Sequence, residues 1–215
     1  MGELRTRDLS KHYGKRVVLE GLDFAAGPGV TVLLGPSGGG KSTLLRVLAT
    51  LERPTGGEVL WNGRDVARSR RAYRSALGYA PQSVSWPEAL SAEEFLVHIG
   101  ALKRIRRSDA IRQGWALLGR VGLERDATRP IRTFSGGMRR RLGLAQALLG
   151  APEVLLLDEP AAELDPETSG HIHDLIFEQA ARGAVVLMTT HREDAVEEAL
   201  ERTSGVAGVS RLRIG

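Results

Sequence analysis

Cysteine is absent from the 215 residues, which removes disulfides, thiol nucleophiles and thiolate-ligated metals from consideration. That absence fixes no compartment by itself. Long apolar runs are missing too: no segment approaches the roughly 20 residues that a bilayer-spanning helix needs. The opening MGELRTRDLSKHYGK lacks the apolar stretch of a secretory leader, so a cytoplasmic protein is expected. Internal repeats, low-complexity tracts and long flexible linkers are not found either. What is there is a hydrophobic fraction of 42%, ordinary for a globular chain with a real core.

Charge is nearly balanced, 30 Lys and Arg against 26 Asp and Glu. The basic residues gather, however, at 68–74, 103–107 and 139–141. Such clusters admit two readings: a surface for nucleic acid or anionic lipid, or solvated helix faces in an arginine-rich chain.

Strand-like segments at 3–9 and 16–24 flank the Gly-containing turn SKHYG and suggest an antiparallel pair. GVTVLLG reads as a short buried strand running into GPSGGGKST and then a helix. GEVLWNGRDV reads as two strands about an Asn62-Gly63 turn, and LGYAPQ as a strand stopped at Pro81. From 91 to 122 the pattern turns helical, with Ser91 and Glu94 spaced as a capping box and Ser108 as a second N-cap. The segment SGGMRRRLGLAQALLG opens a further helix, followed by the strand EVLLLDE and a helix capped by Asp165 with Pro166 at its first position. The strand AVVLMTTH and a helix over 192–201 complete the alternation. The fold class expected is α/β, a mostly parallel sheet with an N-terminal antiparallel β part and an inserted helical part.

GPSGGGKST fits the phosphate-loop pattern G-x-x-x-x-G-K-[ST] in its required strand-loop-helix setting. Gly35, Gly38, Gly39 and Gly40 let the backbone curl its N–H groups toward phosphate oxygens. Lys41 supplies a point charge for the β- and γ-phosphates, and Ser42 a hydroxyl for Mg²⁺, with Ser37 and Thr43 completing the loop. Asp158 ends a buried strand at the sheet edge where open α/β folds bind ligands, which suits Mg²⁺ held through water. Glu159, one residue on, is placed to orient the water attacking the γ-phosphate. His191 follows another strand to the same edge, where it either contacts the γ-phosphate or is a structural surface residue. Gln82 offers an uncharged oxygen to Mg²⁺ or water, and Tyr13 a ring for stacking an adenine or for packing. The Ser135-Gly136-Gly137 helix start is a second anion site.

Together these segments resemble the nucleotide-binding domain of ATP-binding cassette (ABC) transporters, over nearly the whole chain, and most closely its multidrug- and antibiotic-export-type subunits. Tyr13 matches that family's adenine-stacking aromatic, GPSGGGKST its Walker A loop, Gln82 its Q-loop and FSGGM its signature motif. VLLLDE matches the Walker B strand with the catalytic glutamate, AELDP the D-loop, and His191 the switch histidine. The resemblance implies one ABC domain over 1–215: a P-loop NTPase core from 1–82 and 152–215 and a helical subdomain at 83–151 that includes the signature helix. It implies ATP and Mg²⁺ as ligands and a head-to-tail dimer, of identical or different cassettes. In that dimer Ser135, Gly136, Gly137 and Asp165 contact the partner's ATP. It further implies a separate transmembrane permease and a peripheral position on the cytoplasmic face of the membrane. Nucleic acid is not an expected partner.

Two departures stand out: Met138 replaces the family's usual Gln after Ser-Gly-Gly, and Glu163 occupies a D-loop position where small residues are commoner. The text after His191 is short, so no regulatory C-terminal domain is expected. A soluble ABC ATPase acting on nucleic acid or ribosomes is the alternative, motivated by the arginine content. Those relatives usually carry two cassettes or long inserted arms.

Overall fold

In a computed structural model residues 2–190 and 209–214 are described. Three strands, β3 (Gly29–Leu34), β7 (Val154–Asp158) and β8 (Val185–Thr189), are buried along their whole length. Their near-continuous Val and Leu text is what a parallel strand covered on both faces requires. With β6 (Leu77–Ala80) and β9 (Val209–Arg213) they form a parallel sheet in the order β6-β7-β8-β3-β9. Alternate side chains enter opposite cores. Leu155, Leu157, Val186 and Met188 face one, and Val154, Leu156, Val185 and Leu187 the other. The α/β class expected from the strand-helix alternation is the one observed.

A second, antiparallel sheet has the order β2-β1-β4-β5, built from β1 (Leu4–Tyr13), β2 (Arg16–Ala26), β4 (Gly56–Trp61) and β5 (Arg64–Asp65). The first two strands run longer than the sequence suggests, because Lys11, His12 and Tyr13 stay paired with β2 through Tyr13 opposite Arg16. Those polar residues carry no alternation, so cross-strand pairing rather than propensity extends the ladder. Asn62 and Gly63 both have positive φ, 52° and 73°, as a tight two-residue hairpin demands.

Helix α1 (Lys41–Leu48) lies between the two sheets, its Leu44 and Leu45 in the same core as Leu4, Leu9 and Val59. On the other face of the parallel sheet pack α5 (Gly136–Leu148) and α6 (Pro166–Ala181), while α3 (Ala92–Leu102) and α4 (Arg107–Arg120) pack on each other and on α5 within the same core. Ser91 and Glu94 form the full capping box at the start of α3, and Asp165 caps α6 by accepting from Thr168 N–H at 2.9 Å. Ser108 is not an N-cap: α4 already begins at Arg107, without any side-chain cap. The chain turns there because Arg104 takes a φ of 62° and Ile105 N–H returns to the Gly100 carbonyl, so tertiary packing sets the helix start. Gly78 lets β6 meet α5, since a Cβ there would stand 2.1 Å from the Ala147 carbonyl oxygen.

The arginine clusters are partly absorbed by the fold. Residues 70–76 form a short helix, α2 (Arg70–Ala76), that buries Tyr73. Its Arg70 and Arg74 donate to the Thr50 carbonyl at 2.8 and 2.9 Å. Arg141 donates to the Val121 and Gly122 carbonyls at the end of α4. Lys103 ends α3 and donates to the Leu149 carbonyl at 2.6 Å, while burial pushes its ammonium down to about 8. The unfolded chain then binds more protons than the folded one between pH 8 and the ordinary lysine value near 10.5, so folding stability rises with pH across that window. Denaturant titrations of the wild type and Lys103→Met at pH 7.5 and pH 10 are expected to show the wild type gaining stability relative to the variant at the higher pH.

Candidate active site

The carboxyl ends of β3, β7 and β8 lie side by side, with Leu33 and Asp158 both in register with Thr189. From β3 the chain enters a loop in which Gly35, Gly38 and Gly40 take positive φ. Gly40, at the cap position of α1 with φ 100°, tolerates no side chain: a Cβ would lie 2.9 Å from the Val18 carbonyl oxygen. No side chain caps this helix and no acidic residue occupies its first turn, so its N–H groups and the positive end of its dipole face the loop. The Lys41 side chain is buried and folds back over the loop, donating to the Gly35 and Pro36 carbonyls at 2.6 and 2.9 Å.

A cleft of about 360 Å³ opens over this loop, bringing together Tyr13, Ser37, Gly38, Gly40, Lys41, Ser42, Thr43, Gln82 and Glu159. Gly35 and Gly39 shape the loop without lining the cleft. Arg16 and Arg46 also line it, so three cations surround one carboxylate, an arrangement complementary to a polyanion. The sequence reading missed both arginines. Arg46 donates to Thr43 Oγ1 at 3.0 Å and to Glu52 at 2.6 Å, and Glu52 accepts from the Tyr13 hydroxyl. Burial acts to raise the Glu52 carboxyl, but hydrogen bonds from Tyr13, Arg46 and Lys11 outweigh it and hold the group below its usual range. This network anchors the edge of the Tyr13 ring, which remains 43% exposed, and links it to the phosphate loop.

At the neighbouring strand end Thr189 was also missed. Its fully buried hydroxyl donates to Asp158 Oδ1 at 2.7 Å and accepts from Glu159 N–H at 2.9 Å. Burial, with the Asp158 charge adding to it, pushes the Tyr79 phenol up to about 12. Asp158 borders a second cleft of about 240 Å³, shared with Gly136 and Arg140, and Gln82 lines both clefts. Of the three residues expected to serve a metal, Ser42 and Gln82 thus share one cleft and Gln82 and Asp158 the other. Among the described residues no group of three His, Asp or Glu side chains could hold a metal unaided.

Ser135 caps α5 by accepting from Met138 N–H at 3.3 Å. Ser135, Gly136, Gly137 and Asp165 stand apart from the Lys41 cleft. His191, with the helix expected over 192–201, lies outside the described residues.

An uncapped helix behind a glycine loop, at the edge of a parallel sheet, defines a phosphate-loop nucleotide-binding fold. The ABC transporter family model matches residues 19–162, and the chain belongs to that family. Daunorubicin resistance ATP-binding protein DrrA3 of Streptomyces coeruleorubidus is 38% identical over 197 residues, 91% of this chain and 62% of that one. Linearmycin resistance ATP-binding protein LnrL of Bacillus subtilis is 30% identical over 213 residues, covering 99% and 68%. The chain therefore spans about 62% of the length of the daunorubicin resistance relative. A solved ATP-binding subunit of an ABC transporter superposes with a TM-score of 0.83 at 29% identity, covering 98% of this chain and 87% of that one. A nucleotide-free ATP-binding cassette shares the fold with a TM-score of 0.81 at 22% identity, covering 100% and 90%.

Replacing Thr189 by Val strips Asp158 of a donor and leaves the Glu159 N–H without its acceptor. The expected loss of stability is about 1–3 kcal/mol, the cost of a buried unpaired polar group, read from urea unfolding against the wild type.

Proposed function

We propose that this chain binds MgATP in the Lys41 cleft and hydrolyses it as the motor subunit of a membrane transporter. The observation that carries the reading is the cleft itself: a buried lysine, the open end of α1 and two further cations above a glycine loop. Lys41 and the first-turn N–H groups hold the β- and γ-phosphates, and the exposed Tyr13 ring stacks the base. The hydroxyl of Ser42, the amide oxygen of Gln82 and the Asp158 carboxylate are the residues that would hold Mg²⁺. That small oxygen donor set suits an ion that keeps most of its waters and is shared with phosphate. The bound ion would supply neutralisation of the charge developing on the phosphoryl oxygens. Glu159 accepts a hydrogen bond from the attacking water, and His191 contacts the γ-phosphate.

Because Ser135, Gly136, Gly137 and Asp165 do not line their own chain's Lys41 cleft, we assign them to the ATP of a second cassette in a head-to-tail dimer. The ATPase core would comprise 1–82 and 152–215, and the helices within 83–151 would receive a separate permease. The names of the drug-resistance relatives support an exporter, and no observation favours an ATPase acting on nucleic acid. Among the described residues no helix is long and apolar enough to cross a membrane, which fits a subunit held on the cytoplasmic face by its permease.

Lys41→Ala is expected to lose nucleotide affinity in equilibrium binding, and unchanged affinity would refute the phosphate-loop role. Glu159→Gln is expected to retain ATP while turnover falls by about 10²-fold or more, the usual worth of a positioned general base. Light scattering of that variant with ATP and Mg²⁺ should show a shift from monomer to dimer, and wild-type turnover would sink the assignment of Glu159.

A further inference from the structure

The turn after β7 places two non-glycine residues in the left-handed region, Glu159 at φ 53° and Glu163 at φ 61°. A glutamate does not rest there unaided, so neighbouring groups must hold it. Glu159 is held at both ends of its backbone. Its N–H donates to Thr189 Oγ1 at 2.9 Å, and its carbonyl accepts from Ala162 N–H at 3.2 Å and from Arg140 Nη1 at 3.0 Å. The other terminal nitrogen of Arg140 lies 3.8 Å from the Glu163 carboxylate. The arginine side chain is only 16% exposed whereas that of Glu163 is 77% exposed, so the buried, charge-assisted bond to the Glu159 carbonyl is the stronger of the two.

Arg140 belongs to α5, the helix whose first turn carries Gly136 and Gly137. It stands four residues after Gly136, on the same face, and both line the cleft shared with Gln82 and Asp158. The start of α5 also touches the turn directly, since a Cβ on Gly137 would lie 3.2 Å from the Leu164 side chain. We propose that Arg140 is a positioning residue: it holds the Glu159 backbone in the left-handed turn, and so ties that carboxylate to the Ser135-Gly136-Gly137 end of α5 in the same chain. A phosphate seated on the start of α5 then bears on the position of Glu159 through one side chain. This rests on the assignment of Glu159 made above.

The test compares Arg140→Met and Arg140→Lys with the wild type in steady-state ATP turnover, equilibrium ATP binding and amide hydrogen exchange. In Arg140→Met, kcat should fall about tenfold, as for loss of one charge-assisted hydrogen bond, with ATP affinity retained. Exchange across 159–163 should quicken while that of the phosphate loop stays unchanged, and Arg140→Lys should recover part of both. Wild-type turnover and exchange in Arg140→Met would overturn the proposal. So would equal losses of kcat and ATP affinity, which mark a general structural support. Should the methionine variant fail to fold, Arg140→Lys decides through the same readouts, because it keeps the charge and loses the second nitrogen. A wild-type chain that binds ATP without turning it over would defeat the hydrolytic reading of Glu159, while hydrogen exchange still tests the clamp.

Discussion

The parallel register of β6, β7, β8 and β3 is the constraint on which the site depends. With Ala80 beside Leu157 and Asp158 beside Thr189, the strand ends form one edge, from which the phosphate loop, the Gln82 segment and the Glu159 turn all depart. A one-residue slip of β7 would exchange its two core faces, moving Leu155 and Leu157 against α1 and carrying Asp158 away from Thr189. Hydrophobic burial on two faces therefore sets the position of a carboxylate that takes no part in that burial energy.

The same edge concentrates the polar groups that burial would otherwise penalise. Asp158, Lys41 and Thr189 are all buried, and each has a partner that satisfies it: the Thr189 hydroxyl, the Gly35 and Pro36 carbonyls, and the Glu159 N–H. Lys41 bonded to two loop carbonyls keeps its charge within the cleft instead of trailing into solvent. The network of Arg46, Glu52 and Tyr13 extends this order to the rim, where the aromatic ring is bonded at its hydroxyl, carries the Lys11 ammonium 5.0 Å above its centre and remains 43% exposed.

The basic clusters show how a composition signal divides once the chain is folded. Arg70 and Arg74 are bound to Thr50, Arg141 closes the end of α4, and Arg140 reaches the Glu159 carbonyl. Each of these guanidiniums donates to backbone carbonyls at the ends of helices or in turns of unusual conformation. Part of the arginine enrichment thus serves internal bonding, while Arg104, Arg106 and Arg107 stay at the surface.

Much of the fold was legible because it rests on local chemistry. The glycine loop, the Asn62-Gly63 hairpin, the Ser91 and Asp165 caps and the apolar strand text are each encoded within a few consecutive residues. The cleft's phosphate-loop residues, with Tyr13, Gln82 and Glu159, could be named in advance from motifs of that kind. The start of α4, strand β9 and helix α2 were not legible, since a turn's packing, pairing with β3 and the burial of Tyr73 decide them. The same holds for Thr189, Arg46 and Arg140. Thr189 lies 30 residues from Glu159, Arg46 reaches Tyr13 across 33, and Arg140 reaches Glu159 across 19. The glycine loop and its lysine can be picked out from the residue order alone, because backbone freedom and charge at a loop are local properties. The side chains that hold that loop and the neighbouring turn in place emerge with the fold, because their bonds exist only once the buried sheet has brought distant segments to one edge.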